Sequence, residues 1–334
     1  MMFGRRNSGM AIGALAAVGL LVSGCSSSGT ADSSSTSGGK KTIAFVTPQN
    51  TNPYYGTMKC GAQDAAKKND VNLLWQGTAS TETADEMNVL NSVMAKKPDG
   101  MSMTVWDNTA FNAVAHQYMA GGAPLVTADS LLSDNSMLQS IRTDSFGSSR
   151  DAAKDLTKNI TGGSVLILTD KPGNQIQMAR ANGFKEGLKS NGSLKTLDIQ
   201  YVGSDSAKAS STVSSALAAN PGIKLVFTTN DAAGTGASNA LRAAKQTGKT
   251  TLVGYDTEPA QVDQLRKGEY QALIAQSPYQ MGYDAVSLLA DVLSGKTKKS
   301  DVTEKTKYTP WYIVTKANVD TAKAQSFVYK NQCN

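Results

Sequence analysis

Short apolar runs alternate with longer amphipathic stretches along the chain from residue 42 onward. Runs such as Thr42–Thr47 and Ile223–Thr228 are rich in β-branched and aromatic residues, which is typical of strands buried on both faces. The stretches between them space apolar residues three and four positions apart, as Met87, Leu90 and Met94 are spaced, and this period indicates helices. Strands that alternate with helices predict parallel, doubly wound α/β sheets.

Two such series follow each other in the sequence. The first has predicted strands at 42–47, 71–76, 101–106 and 124–128 and helices at 54–68, 82–96 and 109–120. After an extended run at 138–144 and a helix at 147–159, the second has strands at 164–169, 197–202, 223–228, 251–255 and 270–275. Its helices are predicted at 175–190, 207–219, 231–246 and 259–267. A helix at 279–293, an extended segment at 305–314 and a terminal helix at 319–330 complete the predicted order.

The two series predict an α/β fold of two doubly wound parallel-sheet lobes. We assign residues 41–143 plus 277–307 to the N-terminal lobe, and residues 144–276 plus 308–334 to the C-terminal lobe and tail. Crossings near Asp144, Ser277 and Tyr308 then form a hinge of three segments. Ligands of open α/β sheets bind at the carboxyl ends of the strands, and clefts between domains are favoured ligand sites. The predicted site is therefore the cleft between the lobes.

The first 24 residues have the pattern of a signal peptide. Arg5 and Arg6 precede an apolar run, Met10–Val22, which is too short to span a bilayer and suits a signal-peptide core. Val22-Ser-Gly-Cys25 resembles the lipobox of bacterial lipoproteins, which implies cleavage before Cys25 and a lipid on that cysteine. Ordinary secretion with a free Cys25 is the alternative, and twin-arginine export is disfavoured by the polar residues after the arginine pair.

Residues 25–40 are almost all Ser, Thr, Gly, Ala and Asp. Such a composition cannot bury a core and predicts a flexible tether. A lipid, a tether and a folded body together place the protein at the extracytoplasmic face of the cell membrane, held by Cys25.

The net charge and the placement of the basic residues exclude one class of partner. The formal net charge is +6, and without Arg5 and Arg6 the rest of the chain carries 6 − 2 = +4. The lysines and arginines are scattered and form no stripe interleaved with aromatics, so we expect no nucleic-acid partner.

Two cysteines remain after Cys25, and they are Cys60 and Cys333. In an exported chain an even pair of cysteines indicates a disulfide, which would join the first helix to the C-terminus. Two buried free thiols are the alternative. No Cys/His spacing suits a metal, and we predict neither a metal nor a cofactor.

Polar and aromatic side chains stand at or just after the predicted strand ends of both series. The candidate ligand-binding residues are Asn52, Tyr54, Tyr55, Thr104, Trp106, Asp129, Lys171, Arg180, Asn230, Asp256 and Gln276. Amide, carboxylate and guanidinium groups pair with hydroxyls, and aromatic faces cover the C–H faces of a sugar ring. The set suits a neutral, polyhydroxylated ligand.

Each candidate also has a structural interpretation. Tyr54 and Tyr55 could begin a helix packed on the sheet, and Arg180 could be a surface residue of its helix. Asp144 and Asp231 precede predicted helices and are interpreted as N-caps, whereas Asp129 and Asp256 are not followed at once by a helix and are favoured as ligand contacts.

No catalytic constellation can be assembled from the sequence. The single histidine, His116, lies in the middle of a predicted helix, and no nucleophile, base and orienting group come together. We therefore predict that the protein is not an enzyme; an exported enzyme of small carbohydrates is the disfavoured rival.

Six motifs in order resemble those of type I periplasmic binding proteins of the ribose-binding kind, which serve sugar ABC transporters. They are Thr42-Ile-Ala-Phe-Val with Asn52-Pro-Tyr-Tyr55, Pro124-Leu-Val-Thr-Ala-Asp129, Arg180-Ala-Asn-Gly-Phe184, Val226-Phe-Thr-Thr-Asn-Asp231, Val253-Gly-Tyr-Asp256 and Leu273-Ile-Ala-Gln276. The resemblance extends from Lys41 to about Lys316. It implies sugar contacts by the listed loop asparagine, aromatic pair, aspartates, arginine, Asn230 and Gln276.

The chain departs from the ribose binders at three places. Thr104 and Trp106 stand where those proteins have an asparagine, Ser130 stands where an arginine follows the cleft aspartate, and a second-lobe aromatic is replaced near Ser204. These changes disfavour ribose itself and leave a monosaccharide or polyol.

The resemblance implies a lipid-anchored solute-binding protein, monomeric, that presents a sugar to the permease of an ABC importer. The alternative is a sensory module that delivers a sugar-like or furanose-like signal to a membrane receptor. A sugar-responsive repressor shares the fold but needs a DNA-binding headpiece, where this chain has its predicted signal peptide.

Overall fold

A computed structural model describes residues 39–80 and 82–333 of the chain. The predicted signal peptide, the predicted lipidation site Cys25 and nearly all of the predicted tether lie outside the described residues. Within them, no helix combines the length and the apolar character that crossing a membrane requires.

The first sheet has six strands, all parallel to their neighbours. The strands are β1 (Thr42–Thr47), β2 (Asn72–Gly77), β3 (Gly100–Met103), β4 (Leu125–Ala128), β5 (Ser140–Thr143) and β12 (Thr306–Thr309). Their order is β12-β5-β4-β3-β1-β2. The predicted crossing run at 138–144 thus contains an additional strand, because Ser140 and Ile141 pair with β4.

Helices cover both faces of the first sheet, as the strand composition predicts. They are α1 (Pro53–Lys68), α2 (Thr83–Met94), α3 (Asn112–Ala120) and α9 (Pro278–Leu293). α1 and α9 pack on the face of Ile43 and Phe45, and α2 and α3 pack on the face of Ala44 and Val46. Successive residues of β1 therefore serve opposite cores, which requires an apolar residue at every position.

The second sheet has seven strands. They are β6 (Gly163–Thr169), β7 (Leu194–Thr196), β8 (Gln200–Tyr201), β9 (Ile223–Thr228), β10 (Thr251–Tyr255), β11 (Ala272–Ala275) and β13 (Tyr312–Thr315). The main order is β13-β11-β10-β9-β6-β7, and β8 also pairs with β6. β13 runs antiparallel to β11, and the other pairs are parallel.

The second sheet is also covered on both faces. Its helices are α4 (Ser145–Leu156), α5 (Gln175–Leu188), α6 (Ser206–Ala219), α7 (Asp231–Ala243) and α8 (Pro259–Arg266). α4 and α5 pack on one face, and α6, α7 and α8 pack on the other. The two sheets with their helices are the two lobes of the fold.

The chain passes between the lobes after β5, after β11 and between β12 and β13. The predicted lobe boundary between residues 307 and 308 falls inside β12, because Tyr308 and Thr309 still pair with β5 of the first sheet.

The predicted terminal helix at 319–330 is wrong in extent. Only Ala322–Gln325 forms a helix, α10, and the residues after it follow an irregular path. Tertiary contacts prevent a longer helix. Tyr329 is buried in the core of the first lobe, and Cys333 forms a disulfide with Cys60 of α1.

Candidate functional site

A cavity lies between the carboxyl edges of the two sheets. The space between its walls, counting the open solvent at its mouth, is about 640 Å³. Its walls are the loops that follow β1, β3 and β4 in the first lobe and β9, β10 and β11 in the second, together with the start of α5. Both lobes therefore contribute to one site.

Ten of the eleven predicted ligand-binding residues line this cavity. They are Asn52, Tyr54, Tyr55, Thr104, Trp106, Asp129, Arg180, Asn230, Asp256 and Gln276. Lys171 is the exception, because it begins a turn closed by the Asn174 N–H bond to its carbonyl oxygen (3.1 Å). The turn leaves the Lys171 side chain exposed and outside the cavity lining.

Tyr54 and Tyr55 lie in the first turn of α1, where Asn52 caps the helix by accepting a hydrogen bond from the Tyr54 N–H (2.8 Å). Both rings are buried and meet edge to face, with centroids 5.2 Å apart. They pack in the first-lobe core and also line the cavity. The interpretation as a helix start packed in the lobe is confirmed, and the ligand-contact interpretation stays a prediction.

Asp129 and Asp256 occupy corresponding places in the two lobes. Each follows a central strand, β4 or β10, and each has a left-handed backbone, with φ of 58° and 77°. Non-glycine residues seldom adopt this conformation, and here backbone hydrogen bonds to neighbouring strands stabilise it. The Asp129 N–H donates to the Ile141 carbonyl and the Asp256 N–H donates to the Ile274 carbonyl, both at 2.9 Å.

The Asp256 carboxylate is held by two donors. Its Oδ1 accepts hydrogen bonds from Gln276 Nε2 (2.7 Å) and from the Tyr329 hydroxyl (2.9 Å). Tyr329 was missed from the sequence, because nothing in its local pattern connects it to a strand end 73 residues earlier.

Arg180 projects from α5 and is only 3% exposed, so its interpretation as a surface residue is wrong. Its Nη1 donates to the Thr229 carbonyl (2.9 Å), and its guanidinium carbon lies 3.9 Å from the centre of the Tyr255 ring. Burial acts to lower the pKa of Arg180, but Tyr255, Asp256 and Asp129 outweigh it and raise that pKa. The side chain is a permanent cation inside the site.

Asn230, rather than the predicted Asp231, caps α7. The Asn230 Oδ1 accepts a hydrogen bond from the Ala233 N–H (2.8 Å), while Asp231 lies in the first turn and lines the cavity. The predicted N-cap role of Asp144 is confirmed, since its Oδ1 accepts from the Gly147 N–H at 2.9 Å.

The cavity carries more carboxyl groups than cations. Asp129, Asp231, Asp256 and Glu258 line it, and Arg180 is the one cation among the described lining residues. Burial raises the pKa of Asp129 and of Asp231 to about 6. Burial, with the charges of Asp231 and Asp256, raises the pKa of Glu258 to about 8.

Glu258 belongs to a group of lining residues that sequence reasoning missed. The others are Gln49, Val105, Asn108, Asn174, Ile176 and Gln177, and Asp231, for which the sequence favours a cap over a ligand contact, lines the cavity as well. Most of these residues follow strand ends. Considering more residues after each predicted strand would have identified Gln49, Asn108 and Glu258. Asn174 and Gln177 start α5, and only the fold shows that this helix begins at the cavity.

Several buried polar atoms of the lining residues have no hydrogen-bond partner among the described protein atoms. They are Trp106 Nε1, Gln177 Oε1, Arg180 Nε and Gln276 Oε1. Buried polar groups are normally paired, so donors and acceptors from both lobes are arranged to meet a polar ligand. Thr104 differs, because its hydroxyl donates to the Ala128 carbonyl (2.9 Å).

The single histidine of the chain lies away from the cavity. His116 pairs with Asp134 at 2.7 Å on the surface and does not line the cavity. Across residues 39–80 and 82–333, no three His, Cys, Asp or Glu side chains gather where they could hold a metal ion.

Comparisons with known proteins find one matching family and several similar proteins. Residues 43–297 match the family described as "Periplasmic binding protein domain". The chain is 25% identical to the D-allose-binding periplasmic protein of Escherichia coli over 76% of its own length and 85% of that protein. It is 27% identical to the ribose import binding protein of Salmonella typhimurium over 77% of this chain and 86% of that one.

Among solved structures, the chain is similar to an ABC transporter solute-binding protein from Agrobacterium vitis bound with α-D-tagatopyranose. The TM-score is 0.81 at 27% identity, covering 87% of this chain and 99% of the other. A second protein of the same organism, with bound D-fucose, gives a TM-score of 0.78 at 26% identity, covering 86% and 100%.

Proposed function

Because this chain belongs to the family of periplasmic binding protein domains, we propose that it is the solute-binding component of a sugar ABC importer. It binds a monosaccharide or related polyol between its lobes, performs no catalysis and hands the solute to a membrane permease. The similar proteins named above are import binding proteins and transporter components, which favours import over delivery of a sensory signal.

One observation carries this proposal. The cavity joins buried, unpartnered donors and acceptors of both lobes with the rings of Tyr54, Tyr55 and Trp106. Hydroxyl groups satisfy such donors and acceptors, and aromatic rings cover the apolar face of a sugar. The rings belong to the first lobe, and three of the four unpartnered atoms of the described lining residues belong to the second, those on Gln177, Arg180 and Gln276.

The division of contacts between lobes also gives the mechanism. Asp129 and Trp106 belong to the first lobe, and Arg180, Asn230 and Asp256 belong to the second. A ligand that bonds both sets has more contacts when the lobes are closed, so it shifts the hinge equilibrium toward the closed form. The permease then distinguishes loaded from empty protein by shape.

The charge balance of the cavity limits the ligand class. Four carboxyl groups face one guanidinium. Although Glu258 keeps its proton at neutral pH, the others outnumber the cation, so an anionic ligand would be repelled and would lose its hydration without a counter-charge. We therefore expect neutral sugars and polyols to bind, amino sugars to be tolerated, and uronic acids and sugar phosphates to be excluded.

Thermal unfolding against a sugar panel tests the function. The protein is the chain from Gly39 onward, which forms one compact unit, and the panel contains pentoses, hexoses, deoxy-sugars, polyols, amino sugars, uronic acids and sugar phosphates. A ligand at 100 times its Kd adds about 2.7 kcal/mol to the free energy of unfolding, which raises the Tm by several degrees.

We expect the upward shift for at least one neutral member and for none of the anionic ones. The absence of any shift, in protein freed of carried-over ligand by denaturation and refolding, would contradict the sugar-binding function. A shift given by uronic acids alone would contradict the assignment of ligand class.

The export route remains part of this proposal. Residues 1–24 act as the signal peptide, Cys25 carries a lipid, and residues 25–40 tether the monomeric body to the extracytoplasmic face. Cys25→Ser is expected to move the protein from the membrane fraction to the soluble fraction, and Ser27→Ala in the same segment is the control. Retention of Cys25→Ser in the membrane fraction would exclude lipid anchoring at this residue.

A further inference from the structure

The C-terminal segment 327–333, here called the strap, crosses from the second lobe to the first. It lies beyond the family match, which ends at residue 297. The hinge segments also cross between the lobes, but the strap differs from them because a disulfide holds its far end.

The strap begins on the second lobe. Phe327 and Val328 pack against that lobe's core, and the Phe327 ring stacks on Tyr312 with centroids 5.7 Å apart. Thr257, which directly follows Asp256, is bonded to the strap twice. Its hydroxyl donates to the Phe327 carbonyl, and its carbonyl accepts from the Tyr329 N–H (3.1 Å).

Tyr329 connects the strap to the binding site without lining the cavity. The ring is 2% exposed and lies edge to face with Tyr54, with centroids 5.2 Å apart. Its hydroxyl donates to Asp256 Oδ1 (2.9 Å) and accepts from the Gln276 N–H (3.3 Å). One side chain thus touches three cavity residues that come from both lobes.

The strap ends on α1 of the first lobe. The Lys330 N–H donates to the Thr57 hydroxyl (2.6 Å), and the Lys330 carbonyl lies so close to Gly56 that a Cβ there would crowd it. Cys333 then forms the disulfide with Cys60. The bond keeps the strap near α1 even when its hydrogen bonds open, because it confines the free chain to a short segment.

We propose that the strap is a fourth, disulfide-held connection between the lobes, and that through it Tyr329 acts as a positioning residue that sets the Asp256 carboxylate for the sugar. With Oδ1 fixed by Gln276 and Tyr329, the orientation of Oδ2 toward the cavity is fixed as well. The inference rests on the proposed sugar-binding function. If the strap acts in this way, ligand affinity depends on the Tyr329 hydroxyl, which lies outside the cavity, and on the disulfide between Cys60 and Cys333.

Affinity measurements on three variants test the proposal by titration calorimetry. The probes are D-allose, D-tagatose, D-fucose, D-ribose and xylitol. Tyr329→Phe is expected to weaken binding about fivefold to tenfold, less than the loss of a direct hydrogen bond to a charged group, because Tyr329 acts on the sugar only through Asp256. Cys60→Ser/Cys333→Ser is expected to weaken it in the same direction but less. Tyr118→Phe is the matched control, because Tyr118 is also buried and its hydroxyl donates to the Pro98 carbonyl (3.0 Å) away from the cavity.

A double-mutant cycle separates positioning from general loss of stability. If Tyr329 acts through Asp256, the effect of Tyr329→Phe on affinity disappears in an Asp256→Ala background, which has no side-chain acceptor for the tyrosine hydroxyl. Equal effects of Tyr329→Phe in both backgrounds, or an effect no larger than that of Tyr118→Phe, would overturn the positioning role.

Hydrogen exchange of the ligand-free protein tests the strap independently of any sugar. Both Tyr329→Phe and the double cysteine variant are expected to speed exchange at residues 254–257, 276 and 327–330, while Tyr118→Phe leaves these residues unchanged. Unaltered exchange there would overturn the strap proposal even where sugars bind. Failure of all sugars to bind, with exchange altered as expected, would count against the proposed function and leave the strap supported.

Discussion

Arg180→Met is expected to lower the affinity for the transported sugar by about 100-fold. Hydrogen bonds to charged groups contribute about 1.5–3 kcal/mol each, and 1.4 kcal/mol corresponds to a tenfold change in Kd. Arg180 has an unpartnered buried Nε and is the one cation among the described lining residues. Its loss removes both a donor to the ligand and the counter-charge of Asp129 and Asp256.

The surroundings of Arg180 explain why methionine is the suitable replacement. The guanidinium lies over the Tyr255 ring, and the Tyr255 hydroxyl is bonded to the Ser148 hydroxyl (2.6 Å). Methionine reproduces the unbranched stem of arginine as far as Nε and can make a sulfur contact with the ring, so the fold is expected to persist. Arg180→Lys keeps the charge but loses the planar fork of donors, and an intermediate affinity is expected.

Titration calorimetry with the sugar that gives the largest thermal shift is the measurement. Lys171→Met is the matched control, because it removes one positive charge of the same lobe from an exposed side chain outside the cavity. Circular dichroism and urea unfolding establish that both variants fold. Arg180→Met binding as tightly as Lys171→Met would contradict the assigned role of Arg180.

Glu258→Gln is expected to stabilise the ligand-free protein by about 4 kcal/mol at pH 8.5 and by less than about 1 kcal/mol at pH 5. Glu258 is 8% exposed and faces Asp231 and Asp256. Ionising it in the folded protein is therefore costly, with about 1.4 kcal/mol for each unit by which its pKa is raised. Glutamine has the same shape and carries no charge.

The sign follows from proton binding. Burial raises the pKa of Glu258 from its ordinary value of 4.5 to about 8 in the folded protein. Between these values the folded state retains a proton that the unfolded chain has released, so the free energy of unfolding falls as pH rises. Asp129 and Asp231, with pKa values raised to about 6, act in the same direction at lower pH.

Urea unfolding of parent and variant between pH 4.5 and 9 measures this effect. The difference between the two curves isolates Glu258 from the other carboxyl groups, and it is expected to grow from pH 5 to pH 8 and then level off. Glu82→Gln, at an exposed position, is the control and should run parallel to the parent. A constant difference between Glu258→Gln and the parent would show that Glu258 ionises as freely in the folded state as in the unfolded one.

The sequence by itself determined the lobes and most of the cavity. Runs such as Thr42–Thr47 have only apolar residues at their four interior positions and so offer no solvent-facing side there, which predicts strands buried between helices. Parallel strands gather their carboxyl ends at one edge, and residues such as Asn52, Asp129 and Asp256 follow those ends directly. The two parallel sheets and most of the cavity lining could therefore be expected from local pattern and from the family resemblance.

Only the tertiary structure decided the contacts that depend on distant segments. Lys171 shares a loop with cavity residues, yet a local turn carries its side chain to the surface. Glu258 and Gln177 enter the cavity because α8 and α5 start at its wall. Tyr329 reaches Asp256 only because the chain after α10 leaves the helical path, buries a tyrosine in the other lobe and joins Cys60. Local periodicity reports which face of an element is apolar, whereas contacts between remote residues are set by how whole elements pack together.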